Sequence, residues 1–253
     1  LEIVPVHENA GPLGTKDERN IAMNQFDINY PQAREKAIVA QNSLVRQVYA
    51  WMGAGLLITA LLALATVSSP ALLKAIVGNR MVFYGLMLGE LGLVFVLSGA
   101  IERLSATTAT LLFLGYSALN GITLSIIFMV YTADSIASTF VITAGMFGAM
   151  SVYGYLTRRD LTSWGSFLFM GLIGVVIASL VNIFLRSDAV SWVVSGIGVL
   201  VFTGLTAYDT WKIKALAANG AEGRKPAIMG ALTLYLDFIN LFLMLLRFVG
   251  RRR

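Results

Sequence analysis

Two acidic residues stand where a membrane-crossing helix tolerates them least, and a third lies at the end of such a run or inside it, depending on where its helix stops. Asp237 lies near the centre of the apolar run Ala231-Leu-Thr-Leu-Tyr-Leu-Asp-Phe-Ile-Asn-Leu-Phe-Leu-Met-Leu-Leu-Arg247, Asp209 follows the run Val190–Tyr208, and Glu90 sits nine residues into Met81–Ala100. An aspartate at the middle of such a helix costs roughly 2.5–3.5 kcal/mol on insertion scales, so its presence points to function. Counting from Asp237, the residues Gly230, Thr233, Asn240, Met244 and Arg247 fall at alternating spacings of three and four. That spacing gathers small and polar groups on one face of a helix, which should turn to other helices or to water and away from lipid.

Two carboxylates in contact in a desolvated place cannot comfortably both ionise, and such a pair tends to share a proton. Protonated, it is a hydrogen-bonded clasp between helices. Deprotonated, it repels and offers oxygen ligands to a hard cation such as Ca²⁺. Asp209 and Asp237 can form this pair only if the sixth helix runs past Trp211 towards Ala218. Asp209 then lies roughly 13 Å from the helix end, and Asp237 roughly 15 Å into the seventh helix from the same side. An aspartic intramembrane protease also uses two membrane aspartates, but the contexts Tyr208-Asp209-Thr210 and Leu236-Asp237-Phe238 do not supply both of that family's motifs, and no enzyme is expected. Arg103, just beyond the second apolar segment, and Arg247, at the end of the seventh, have a simpler reading: their long side chains can snorkel to an interface.

The elements that hold these residues follow from composition. Of 253 residues, 57% are hydrophobic and 13% are charged, and mean hydropathy is +0.75. A soluble domain is about a quarter charged, so the chain reads as an all-α integral membrane protein. Seven apolar segments are long enough to cross: Val48–Val67, Met81–Ala100, Thr107–Val130, Ile136–Tyr155, Trp164–Leu185, Val190–Tyr208 and Ala227–Leu246. Aromatic residues such as Tyr49, Trp51, Trp164, Trp192, Tyr208 and Trp211 lie near segment ends, where amphipathic rings settle at headgroups. Pairs such as Gly85-x-x-x-Gly89, Gly145-x-x-Gly148, Gly171-x-x-Gly174 and Gly196-x-Gly198 read as close helix-packing positions. Residues 1–44 form a polar tail, expected to be mobile and cytoplasmic, with Pro31 among its breakers; residues 45–253 form the membrane domain. No short apolar signal region occurs before Val48.

There is no cysteine, and the single histidine, His7, is in the tail, so thiolate and histidine metal sites are not expected. The net charge of +5 comes from basic residues flanking apolar segments, which argues for membrane orientation and against nucleic acid. Five lie in the tail (Lys16, Arg19, Arg34, Lys36, Arg46) and seven in the even-numbered loops (Arg103, Arg158, Arg159, Lys212, Lys214, Arg224, Lys225), against Lys74, Arg80 and Arg186 in the odd ones. The N-terminus is therefore expected in the cytoplasm. The seventh helix breaks the rule: a full crossing puts Arg247, Arg251, Arg252 and Arg253 outside, while a re-entrant helix keeps them in. Its length favours crossing.

The stretches Thr143-Ala-Gly-Met-Phe-Gly-Ala-Met-Ser-Val-Tyr-Gly154, Leu205-Thr-Ala-Tyr-Asp209 and Ala231-Leu-Thr-Leu-Tyr-Leu-Asp-Phe-Ile-Asn240 resemble the Bax inhibitor (transmembrane Bax-inhibitor-motif) family, most closely its bacterial YbhL/YccA branch. The resemblance covers roughly Val45 to Arg253. It implies a seven-helix bundle with the last helix central, ringed by the other six, and a pH-sensitive Ca²⁺ leak in the bacterial cytoplasmic membrane. Asp209 and Asp237 match the family's pH-sensing pair and are candidate transient Ca²⁺ ligands. Glu90, Arg103 and Arg247 match further charged positions of its bacterial channel member. With Asn240 from the stripe they make the candidate ion path or latch. Glu102 beside Arg103 departs from the more uniformly basic loop of that channel. No tightly bound cofactor is implied, and Ca²⁺ is the permeant ion. The YccA branch is also associated with a membrane-anchored AAA protease, which implies an alternative: a non-conducting regulator that meets such a partner through residues 1–40 and the Lys212–Lys225 loop.

Overall fold

A computed structural model describes residues 16–253, with side chains from residue 39 onward except those of residues 40, 77 and 102. The chain forms α1 (Lys16–Val67), α2 (Pro70–Val77), α3 (Arg80–Ala100), a 3₁₀ turn (Ile101–Arg103), α4 (Ala106–Leu124), α5 (Ile127–Val130), α6 (Ala133–Leu156), α7 (Thr162–Leu185), α8 (Asp188–Ala218) and α9 (Arg224–Val249). Seven stretches are long and apolar enough to cross a membrane: Gln41–Val67 of α1, α3, α4 with α5, α6, α7, α8 and α9. Their starts are written locally. The side chains of Ser69, Asn79, Ser105, Thr132 and Ser187 accept hydrogen bonds from the first backbone N–H groups of α2, α3, α4, α6 and α8. Those donors have no partner within the helix, so a hydroxyl or amide oxygen there sets the boundary.

Three local expectations are corrected. The first fifteen tail residues lie outside the described residues, but the backbone from Lys16 is helical and passes through Pro31, where a break was expected. The third apolar segment is interrupted: Ser125 Oγ donates to Ile122 O at 2.7 Å, and the N–H groups of Phe128 and Met129 reach only three residues back. That back-bonding and local 3₁₀ pattern separate α5 from α4. Gly85, Gly89, Gly145, Gly148 and Gly174 are not close-packing positions, since a Cβ at each meets open space. They lie on faces turned out of the bundle. On Gly198 the packing reading holds, with Met244 of α9 within 2.9 Å of where a Cβ would stand.

In α9, 72% of the most apolar window is buried, against at most 39% in any other crossing helix. It packs on α8, α1, α6 and α4, while α3 leans chiefly on α4 and α7 on α8. Both faces of α9 are used: Asp237 and Phe238 are buried, and so are Leu234, Tyr235 and Leu241 at 0% exposure. The rings of Phe238 and Phe147 meet edge-on at 5.4 Å, tying α9 to α6.

The two ends of α6 show that α9 traverses the bundle. At its C-terminal end, Lys214 Nζ of α8 donates to Tyr155 O at 2.7 Å, shortly before α8 ends and α9 begins. At its N-terminal end, the residues after α9 pair with the α5–α6 loop: Thr132 N–H donates to Arg251 O, Arg253 N–H to Val130 O, and Arg251 N–H to Ser135 Oγ. Twenty-six helical residues rise about 39 Å, enough to join these two ends. The terminal arginines thus lie at the face opposite the α8–α9 connection.

Candidate functional site

α8 runs unbroken past Trp211 to Ala218, and this places Asp209 well inside the helix. Asp209 is 8% exposed and Asp237 5%, and their carboxyl groups are hydrogen-bonded to each other. A hydrogen bond between two carboxyl groups requires a proton on one of them. The contact has the geometry of the clasp expected of a pair that holds a proton. The charge acting on Asp209 from nearby is Lys212, three residues on along α8.

Small residues of the neighbouring helices let the pair form. A Cβ on Gly154 of α6 would stand 2.2 Å from Ala207 O, and one on Gly165 of α7 would overlap the ring of Tyr208 at 2.3 Å. Only glycine allows these approaches, and both press on the turn of α8 just before Asp209. Directly after Asp209, Thr210 Oγ1 and Tyr49 OH of α1 share a hydrogen bond of 2.9 Å.

The pair borders a cavity of about 470 Å³ between α7, α8 and α9. Thr233, Asp237 and Asn240, three members of the polar stripe, line it together with Asp209, Tyr208, Ser166 and Lys212. Ser166 and Lys212 are exposed, so the cavity opens to the outside of the bundle at their level. Asp237 Oδ2 is buried with no hydrogen-bond partner. Asn240 Nδ2 donates to Leu236 O at 2.8 Å, turning the amide along its own helix. The arrangement offers carboxylate, amide and hydroxyl oxygens around one space, the donor set a hard cation takes. Among the described residues, no group of three or more His, Cys, Asp or Glu side chains is gathered to hold a resident metal.

The other candidates do not join the pair. Glu90 accepts from Thr123 Oγ1 at 2.6 Å across the α3–α4 contact. Its surroundings are Tyr116, Asn120 and Tyr235, and Tyr235 OH lies 2.6 Å from Thr59 Oγ1 of α1. Tyr235 and Asp237 are two residues apart, about 200° around α9, so Glu90 faces a separate polar cluster on the opposite side of that helix. Arg103 is exposed in the 3₁₀ turn, and Arg247 is exposed near the end of α9. The side chain of Glu102 lies outside the described residues. Lys214 donates to the Tyr155 carbonyl near the end of α6, and Tyr49 and Tyr208 turn inward to Thr210 and Gly165 rather than out to headgroups. Lys212, Tyr49 and Tyr235 are contributors that the one-dimensional pattern does not single out. The only signal is helical spacing: Lys212 falls on the same face as Asp209, three residues away.

The chain has recognisable relatives among known proteins. The family described as inhibitor of apoptosis-promoting Bax1 matches residues 41–253, the whole of the crossing region. The chain belongs to this family. Among Bax inhibitor-type relatives, it is 58% identical to the inner membrane protein YbhL of Escherichia coli K12 over 212 residues, covering 82% of this chain and 91% of that one. An uncharacterized protein of Borreliella burgdorferi is 50% identical over 223 residues, covering 87% and 96% of the two chains. A protein of Deinococcus radiodurans is 41% identical over 241 residues, covering 94% and 99%.

Proposed function

We propose that this protein is a pH-sensitive calcium leak of the bacterial cytoplasmic membrane, gated by the Asp209–Asp237 pair. The observation that carries the reading is a hydrogen-bonded pair of buried carboxyls, on two packed helices, at the wall of a polar cavity. With its proton, the pair clasps α8 to α9. Without it, two like charges in contact repel, and their oxygens with those of Asn240 and Thr233 become a transient set of Ca²⁺ ligands. Calcium then moves through as the cargo. The cytoplasmic N-terminus is inferred from the lysine and arginine bias, and the inner membrane from the relative in Escherichia coli.

Ca²⁺ flux into proteoliposomes containing only this protein, followed across a pH series, tests the reading. Wild-type flux is expected to rise as the pair loses its proton, and Asp209→Asn with Asp237→Asn abolishes that pH dependence. A double variant with the wild-type flux and profile refutes the gate. Absence of flux at every pH refutes the leak and leaves the non-conducting regulator implied by the family resemblance.

A further inference from the structure

The arginines after α9 are unused by the aspartate gate, yet the fold holds them in place. Two backbone–backbone hydrogen bonds and one from Arg251 N–H to Ser135 Oγ tie Arg251 and Arg253 to the segment Val130–Ser135, and Arg252 bridges Tyr131. Gly250 makes this docking possible: a Cβ there would stand 2.9 Å from the Tyr131 ring and 2.2 Å from Leu246 O. The side chains of Arg251, Arg252 and Arg253 are exposed. The segment that holds them contributes one carboxylate, Asp134 in the first turn of α6, so the positive charge at this place is in excess.

Residues on either side of this segment, Phe128 and Ile136, line an apolar groove. A cavity of about 140 Å³ lies between α1, α5, α6 and α9, lined by Ile127, Phe128, Ile136 and Phe242 among others. Phe128 is two residues before Val130, and Ile136 directly follows Ser135, the positions that anchor the arginine strand. The groove opens sideways between Leu64 of α1 and Phe140 of α6, which are 49% and 46% exposed. It is smaller than a drug-sized pocket and suits part of one extended hydrocarbon chain.

We infer that the groove and the arginine strand at its end form a site for one anionic phospholipid, with an acyl chain between α1 and α6 and the phosphate on Arg251–Arg253. The occupant follows from the pairing of chemistries: an apolar slot open to the bilayer interior, ended at the face of the bundle by guanidinium groups. Guanidinium binds phosphate oxygens through paired N–H donors. Basic clusters beside membrane segments recognise anionic headgroups in this way. A zwitterionic lipid fills the slot equally well but brings its own cation to the arginines.

The full chain in detergent is offered equimolar phosphatidylglycerol and phosphatidylcholine with the same acyl chains, and bound lipid is read by native mass spectrometry. Wild type is expected to retain phosphatidylglycerol over phosphatidylcholine by about tenfold or more, given the attraction each basic residue contributes. The triple variant Arg251→Gln, Arg252→Gln, Arg253→Gln brings the ratio to about one. Ala60→Phe, which fills the groove from an exposed position on α1, removes retained lipid while leaving every arginine. Gly250→Ala is the parallel variant: it dislodges the strand, leaves groove and charges intact, and loses the preference. Equal retention of the two lipids by wild type, a preference surviving the triple variant, or undiminished binding by Ala60→Phe overturns the site.

Discussion

Replacing Asp209 with asparagine separates the proton of the pair from its shape. The amide has the size of the carboxyl and donates to Asp237 at any pH, so the hydrogen bond between α8 and α9 persists while the second charge is gone. In the wild type, a hydrogen bond to a charged partner is worth about 1.5–3 kcal/mol. Once the shared proton leaves, two charges at about 4 Å repel by about 4 kcal/mol at an effective dielectric of 20. The first of these closes the clasp and the second drives it open. Losing the clasp energy alone shifts a two-state equilibrium by about 10- to 150-fold. Asp209→Asn keeps the closing contribution and has no repulsion, so its Ca²⁺ flux in proteoliposomes is expected to be low and flat with pH. Asp209→Ala keeps neither, and its flux is expected to be high and nearly flat. Both variants are checked for unchanged elution and thermal midpoint before flux is read. If Asp209→Asn follows the wild-type pH profile, or if asparagine and alanine give the same flux, a shared proton does not set the gate.

Three further outcomes are expected. Gly154→Leu drives a side chain into the Ala207 carbonyl 2.2 Å away, and overpacking of this kind costs about 1–3 kcal/mol or more. Its thermal midpoint in detergent should drop by about 2–4 °C per kcal/mol, and an unchanged midpoint shows that α6 and α8 are not held this closely. Tyr235→Phe removes a hydroxyl 2.6 Å from Thr59 and should cost about 0.6–1.7 kcal/mol in thermal unfolding without altering the pH profile of flux. Glu90→Gln keeps an oxygen for Thr123 and should leave the pH midpoint of flux unchanged, because α9 stands between Glu90 and the pair. A midpoint shift as large as that of the Asp209 variants shows that the two clusters act as one site.

Much of the architecture is legible in the amino-acid sequence. Crossing length is a local property, so the apolar runs anticipate the seven spans to within a few residues at most boundaries. The long sixth helix, ending at Ala218, follows from requiring that Asp209 and Asp237 share a depth. Glycine spacing was the poorest guide. Gly85-x-x-x-Gly89 and Gly145-x-x-Gly148 resemble packing motifs but border open space, while Gly154 and Gly165 bear on the helix that carries Asp209. A small residue permits contact without naming its partner, and the helix rotations that choose the partner are collective. Glu90 shows the same limit, since its charge and depth fit an ion path while its contacts lead to Thr123 and the tyrosines.

By itself the sequence determined the membrane class, the number of crossings, and the need for a partner at Asp237. Hydrophobic length and the cost of a buried charge are read residue by residue. Depth matching named Asp209 as the partner of Asp237, but only the tertiary structure decided that Glu90 belongs to another cluster and that α9 carries Arg251–Arg253 to the α5–α6 loop. Each of these depends on how helices are rotated and paired, and that is set by packing between residues as far apart as Gly154 and Ala207 or Tyr131 and Arg252.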